Sequence, residues 1–221
     1  MNPKLLKLIY QPVIRKAAIA GLAGRNRDHA QPDKGRFTRV DVEKMLAQVW
    51  KKYDQIVPNV KKIPALGNQM NLYLSCITFC CFQTLLELGI ERSYAIELIS
   101  DMAWKVYEKW GAIPFIFARL RKHSPRERMR FAVNAFLRFP FSPPGYLLDR
   151  LPSEDGISFN IKKCLIAEYF HAQGATDLCV GTWCNLDFAL AEMWGGWLER
   201  TQTLAAGNPF CDFRFKAPLE K

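Results

Sequence analysis

No CxxC pair occurs in this chain of 221 residues, so neither a zinc ribbon nor a thioredoxin-like redox motif is available to it. Zinc-finger spacing, an RNP-like motif and a helix-turn-helix signature are missing as well. Nucleic-acid binding would therefore rest on charge alone and is not expected. Internal repeats and low-complexity segments are absent. A secretory signal peptide is not expected, because Lys4, Lys7, Pro12, Arg15 and Lys16 interrupt the first apolar stretch. Charge-free runs are scarce too. The longest stretch without a charged residue runs from Ile63 to Leu86, and Pro64, Asn68, Gln69, Asn71 and Gln83 within it are costly in lipid. A helix buried centrally in a soluble domain is the expectation there, with Cys76, Cys80 and Cys81 as small core hydrophobes.

Against these absences stands a strong positive balance. The chain carries 31 Lys and Arg against 21 Asp and Glu, a formal charge of +10. That charge is unevenly placed: residues 151–221 hold 6 basic against 9 acidic groups, and residues 1–150 hold 25 against 12. A solvated basic surface accounts for such an excess, and an anionic substrate or an anionic lipid surface remains compatible with it. Seven cysteines, an odd number in a chain too long to need disulfide staples, point to reduced thiols and a cytoplasmic location.

Residues 1–36 read as a basic extension and linker, and residues 37–221 as one domain. Residues 3–20 can form a basic amphipathic helix that lies on an anionic membrane, making the protein membrane-peripheral, or docks on its own domain or a partner. The stretch from Gly21 to Gly35 has the composition of a mobile linker. Thr38-Arg39-Val40-Asp41 approximates a capping box and opens a helix to about Tyr53. Ser93 is placed to cap a helix running to about Trp110, and Ser124-Pro125 to start another. Arg119, Arg121, Lys122, Arg126, Arg128 and Arg130 make the densest basic cluster, either solvated or an anion contact. Beyond Pro144, strand character appears at 146–150, 157–162, 197–204 and 210–216, with helices over 163–173 and 185–194. The expected fold is α+β: an N-terminal helical part packed with a small antiparallel C-terminal sheet carrying two helices.

Chemistry-bearing residues concentrate in the last quarter. They are Phe159-Asn160, Cys164-x-x-x-Glu168, Cys184-x-x-Asp187, Arg200-Thr201-Gln202-Thr203 and the closing Cys211-Asp212-Phe213-Arg214-Phe215. This succession resembles the L-2-amino-thiazoline-4-carboxylic acid hydrolase family. The likeness is best over residues 157–216 and weaker over 63–110, where Ile63-Pro64-Ala65-Leu66-Gly67 carries it. The resemblance implies a hydrolase that opens a cyclic isothiourea at the carbon between sulfur and the nitrogens, giving an N-carbamoyl-cysteine-type product. The basic front end, Trp194-Gly195-Gly196-Trp197 and an additional Cys179 depart from the expected pattern. Two tryptophans beside the site suggest a ligand more apolar than a cysteine derivative, or core aromatics.

Such a reaction needs a nucleophile or water-activating base, an acid for the leaving thiolate, and a cation for the substrate carboxylate. Cys184 and Asp187, three residues apart at the start of an expected helix, share one face where the helix dipole lowers a thiol pKa. Cys211 and Asp212 are strand neighbours and must face opposite sides, with Cys211 assigned inward and Asp212, beside Arg214, to structural support. Glu168 is the further candidate proton acceptor. Arg200 is the expected carboxylate fork, with an ion pair to Asp212 or Glu192 as its alternative. Asn160, Thr201 and Cys164 complete the expected substrate contacts. The partner expected is a small anionic substrate. No cofactor is expected, although Cys164, Cys184, Cys211, Asp187, Glu168 and His171 could assemble a zinc site from distant segments. A non-catalytic ligand- or metal-binding module and a membrane-surface accessory protein are the rival readings.

Overall fold

A computed structural model describes residues 1–121 and 124–219, leaving Lys122 of the basic cluster outside the described residues. The chain divides into two compact units, one of residues 1–62 and 72–106, the other of 63–71 and 107–221. It is α+β, 64% helical with a four-stranded antiparallel sheet near its C-terminus.

In the first unit, α1 (Pro3–Leu22) starts under the side chain of Asn2, which accepts from the Lys4 amide at 2.8 Å. Leu6, Tyr10, Ile14, Ala17 and Ala18 recur at helical spacing and are buried, packing α1 against α2 (Arg39–Ile56). Leu5, Leu8 and Ile9 stay exposed. Ion pairs Lys7–Asp54 and Arg15–Glu43 join the two helices. The expected capping box is present: the Asp41 amide donates to the Thr38 hydroxyl, and the Asp41 carboxylate accepts from the Thr38 amide at 2.8 Å. The stretch from Gly21 to Gly35, read from composition as a mobile linker, has hydrogen-bonded backbone over much of its length. Gly24 donates to the Phe37 carbonyl, Phe37 to Arg25, and Asn26 bridges Arg36.

Helix α3 (Leu66–Glu87) covers the charge-free stretch. No helix among the described residues is long and apolar enough to cross a membrane. Helix α4 (Arg92–Arg121) runs well beyond Trp110, through Pro114. Its start is capped by Glu91 rather than Ser93, because the carboxylate can accept from both the Ser93 and the Tyr94 amides, at 2.9 and 3.0 Å.

The second unit is built on the sheet. Strands β1 (Tyr146–Leu151), β2 (Gly156–Cys164), β3 (Trp197–Glu199) and β4 (Cys211–Lys216) lie in the order β1-β2-β4-β3. Strand alternation gives one face Phe159, Phe213 and Phe215, whose rings stack at 5.1 to 6.2 Å between centroids. Helix α5 (Pro125–Arg138) starts at Ser124-Pro125 as expected and packs on β2 and β4. Two arginines of its first turns bond backbone carbonyls, although Arg130 stays exposed. Arg130 donates to the carbonyls of Gly156 and Ser153 at 2.6 and 2.9 Å, and Arg126 to Glu154 at 3.1 Å. They hold the β1–β2 turn.

Asn68 does the same for the segment leading into β1. Fully buried, it donates to the carbonyls of Pro140 and Ser142 at 3.1 and 2.9 Å and accepts from the Gly145 amide at 2.8 Å. A Cβ on Gly145 would lie 2.7 Å from the Asn68 Oδ1, so glycine is required for that approach. After β2 come α6 (Leu165–Ala172), α7 (Thr176–Cys179), a π-turn (Val180–Cys184) and α8 (Leu186–Met193). The sequence pattern shows α6 and α8 but not the short helix and π-turn between them.

Candidate active site

Between the aromatic face of the sheet and helices α5 to α8 lies a cavity of about 90 Å³. Phe136 from α5, Phe159, Phe213 and Phe215 from the sheet, and Trp183 and Trp194 line most of it. Trp194 is fixed by its indole N–H, which donates to the Gly111 carbonyl at 2.9 Å. Polar groups gather at one end: Cys184, Asp187, Arg200, Tyr107 and the thiols of Cys164, Cys179 and Cys211.

Arg200, just past the end of β3, organises that end. Its side chain is only 4% exposed. One guanidinium nitrogen donates to the Asp187 carboxylate at 2.9 Å and the other to the Cys184 carbonyl at 2.9 Å. Its two flanking aromatic rings, Phe188 and Phe213, stand 4.8 and 5.1 Å away. Of the carboxylates weighed from sequence, neither Asp212 nor Glu192 is its partner. The partner is Asp187, thirteen residues earlier.

Cys184 ends the π-turn, and Asp187 lies in the first turn of α8. The Cys184 thiol is held below its ordinary pKa. The Cys179 thiol hydrogen-bonded to it is the largest cause, and Arg200 and the Thr203 hydroxyl add to it against burial and the Asp187 charge. Cys179 is pushed up correspondingly, because it supplies that hydrogen bond. Burial moves Asp187 the other way, up to about 6, with Arg200 opposing. A thiol pulled down beside a carboxyl pushed up marks the two as a candidate acid–base pair.

Cys211 faces the cavity, and burial pushes its thiol up to about 11 while the Leu204 amide donates to its sulfur at 3.2 Å. Cys164, at the start of α6, is also pushed up by burial. Asp212 points away, accepting from the Thr201 and Gln202 amides at 3.0 and 2.8 Å and from the Thr201 hydroxyl at 2.7 Å. These bonds end β3 at Glu199 by turning the next amides from the ladder to a side chain. Arg214 bonds Asn160 at 3.0 Å and the carbonyls of Phe159 and Phe213. Asn160, Thr201 and Arg214 are thus outside the cavity lining, as is exposed Glu168.

Composition and spacing did not single out Tyr107 or Tyr146, and they named Cys179 and Thr203 without giving either a role in the site. Tyr107 lines the cavity and is raised well above its ordinary pKa by burial, with the charges of Asp187 and Cys184 adding to it. Tyr146 accepts from the Asn71 amide group at 2.9 Å. No group of three or more His, Cys, Asp or Glu side chains is arranged to hold a metal ion among the described residues.

A model of the L-2-amino-thiazoline-4-carboxylic acid hydrolase family matches residues 116–215, which include every residue lining the cavity except Tyr107. The likeness read from the C-terminal residues is therefore the one this match finds. No curated protein and no solved structure matches the chain.

Proposed function

We propose that this chain, whose second unit is similar to a hydrolase family, opens small cyclic isothioureas of the aminothiazoline type through Cys184. The observation that carries the reading is the lowered Cys184 thiol beside a carboxyl raised to about 6 at the wall of an apolar cavity. In the proposed reaction the Cys184 thiolate adds to the ring carbon between sulfur and the nitrogens. The carbon–sulfur bond of the ring then breaks. The departing sulfur takes the proton of the Asp187 carboxyl and leaves as a thiol, still tethered to the ring nitrogen. The remaining isothiourea links that nitrogen to the Cys184 sulfur. Water adds to the same carbon, Asp187 takes a proton back, and the Cys184 thiolate leaves, releasing a urea with a free thiol arm. The sum is substrate plus one water, and the product from the 4-carboxylate is an N-carbamoyl-cysteine.

Low dielectric strengthens each of these contacts. Arg200 is a positioning residue in this scheme, holding Asp187 and the Cys184 carbonyl in one plane. Cys179 and Thr203 stabilise the thiolate by donating to it. Tyr107, on the cavity wall, is the donor assigned to the ring nitrogen in this scheme. Cys164 and Cys211, both raised, wall the cavity without reacting.

The test is incubation of the protein with 2-amino-2-thiazoline and with L-2-amino-thiazoline-4-carboxylate, followed by an assay for small-molecule thiol after filtration. Cys184→Ser should lower thiol release by about a thousand-fold or more, and Cys211→Ala by less than about tenfold. Thiol release that survives Cys184→Ser would remove the covalent route. No release from either compound would remove the hydrolytic reading.

A further inference from the structure

The polar end of the cavity carries no surplus positive charge. Arg200 is the one cationic side chain among the described lining residues, and Asp187 matches it at 2.9 Å. Its second nitrogen is held by the Cys184 carbonyl at 2.9 Å, and Phe188 and Phe213 flank its guanidinium. A substrate carboxylate entering here would have to share that guanidinium with Asp187, placing two acidic groups on one buried cation. Apart from tyrosine hydroxyls and thiols, the rest of the lining is aromatic and aliphatic, and a carboxylate set against it would lose its hydration without a cationic partner. The amidine end of an isothiourea meets the opposite situation. It is a hydrogen-bond donor and becomes cationic on protonation, which suits Asp187 and the Cys184 sulfur.

Size adds a second constraint. About 90 Å³ is room for roughly six to nine water-sized atoms. That holds a five-membered ring with its amino group and one short branch, and little more.

We infer, on the basis of the reading proposed above, that the site takes 2-amino-thiazolines bearing a short, uncharged apolar substituent and discriminates against the 4-carboxylate. The Asp187–Arg200 pair is the specificity device: Arg200 spends its charge inside the protein, so the cavity accepts an apolar branch where a carboxylate would need a free guanidinium.

The matched probes are 2-amino-4-isopropyl-2-thiazoline and L-2-amino-thiazoline-4-carboxylate. Their substituents have nearly the same shape and differ in charge. Binding of each to the Cys184→Ser protein is measured by calorimetry at pH 7.5, and kcat/KM of the unaltered protein by thiol release. The isopropyl compound should bind at least roughly tenfold more tightly. Asp187→Asn, which releases Arg200 and removes an amidine contact common to both probes, should shift the ratio of the two affinities toward the carboxylate by at least about tenfold. Equal or tighter binding of the carboxylate to the Cys184→Ser protein, or no binding of either compound, overturns the inference. Preferential isopropyl binding without any thiol release would remove the hydrolytic reading and leave the selectivity standing. Release from both, with the carboxylate favoured, would do the reverse.

Discussion

Two forces compete at Asp187, and the structure gives the contest to burial. The Arg200 guanidinium at 2.9 Å favours the ionised carboxyl, yet the group rises from an ordinary 3.8 to about 6. Below about 3.8 the folded and the unfolded chain both hold this proton. Between about 3.8 and 6 the folded chain keeps a proton that the unfolded chain has released. Stability contributed by the protonated form is therefore fully present below the lower value and lost as pH rises through the upper one. A shift of this size amounts to about 3 kcal/mol. Asp187→Asn retains the shape and cannot titrate. Urea unfolding of both proteins between pH 4 and pH 7.5, under reducing conditions, should show the unaltered protein losing about 2 kcal/mol of this relative to the variant as pH rises, since part has already gone at pH 4. A difference independent of pH, or one in which the unaltered protein gains with pH, would mean that the ion pair outweighs desolvation. The assignment of Asp187 as the proton donor near neutral pH would then fail with it.

Removing the Cys179 thiol takes away the largest influence lowering Cys184, so Cys179→Ala should move the pH midpoint for alkylation of Cys184 upward. Iodoacetamide labelling followed by mass spectrometry across pH 6 to 10 reads that midpoint, and an unmoved curve would contradict the hydrogen bond. Asn68→Ala leaves two carbonyls and one amide of the 140–145 segment without their partner. It should destabilise the second unit by about 3 kcal/mol, seen as a lower urea midpoint. A loss below about 0.5 kcal/mol would show that water replaces these bonds.

Local signals were legible where they act over a few residues. The Thr38–Asp41 capping box, the Ser124-Pro125 helix start and the alternation that turns Cys211 inward and Asp212 outward need only neighbours. What could not be read depends on distant parts meeting. Strand β3 stops at Glu199 because Asp212, from the adjacent strand, captures the next two amides. Nothing in residues 200–204, which alternate well, announces that. Arg200 offered Asp212 and Glu192 as equally reasonable partners on spacing, and only the fold brings Asp187 to it. Tyr107 comes to Cys184 from far earlier in the chain, on a helix that continues past the point where its apolar period fades. The carbonyl bonds of Arg126 and Arg130 were hidden for a related reason, since backbone carbonyls carry no signature in a sequence.

The π-turn at Val180–Cys184 makes the site sensitive to chain length in a way that side-chain identity does not capture. A π-turn is a helix with one residue to spare. Excising one residue between Cys179 and Cys184 would close it into an ordinary helix in which the two cysteines stand four apart and still share a face. Adding a residue is different, because the wide turn has already absorbed its one extra position. Everything after the insertion would turn by about 100° relative to everything before, and Cys179 would lose its sulfur neighbour. Substitutions and single deletions at the outward positions of this turn should therefore be cheap, whereas a single-codon insertion should cost the chain its reactive thiol.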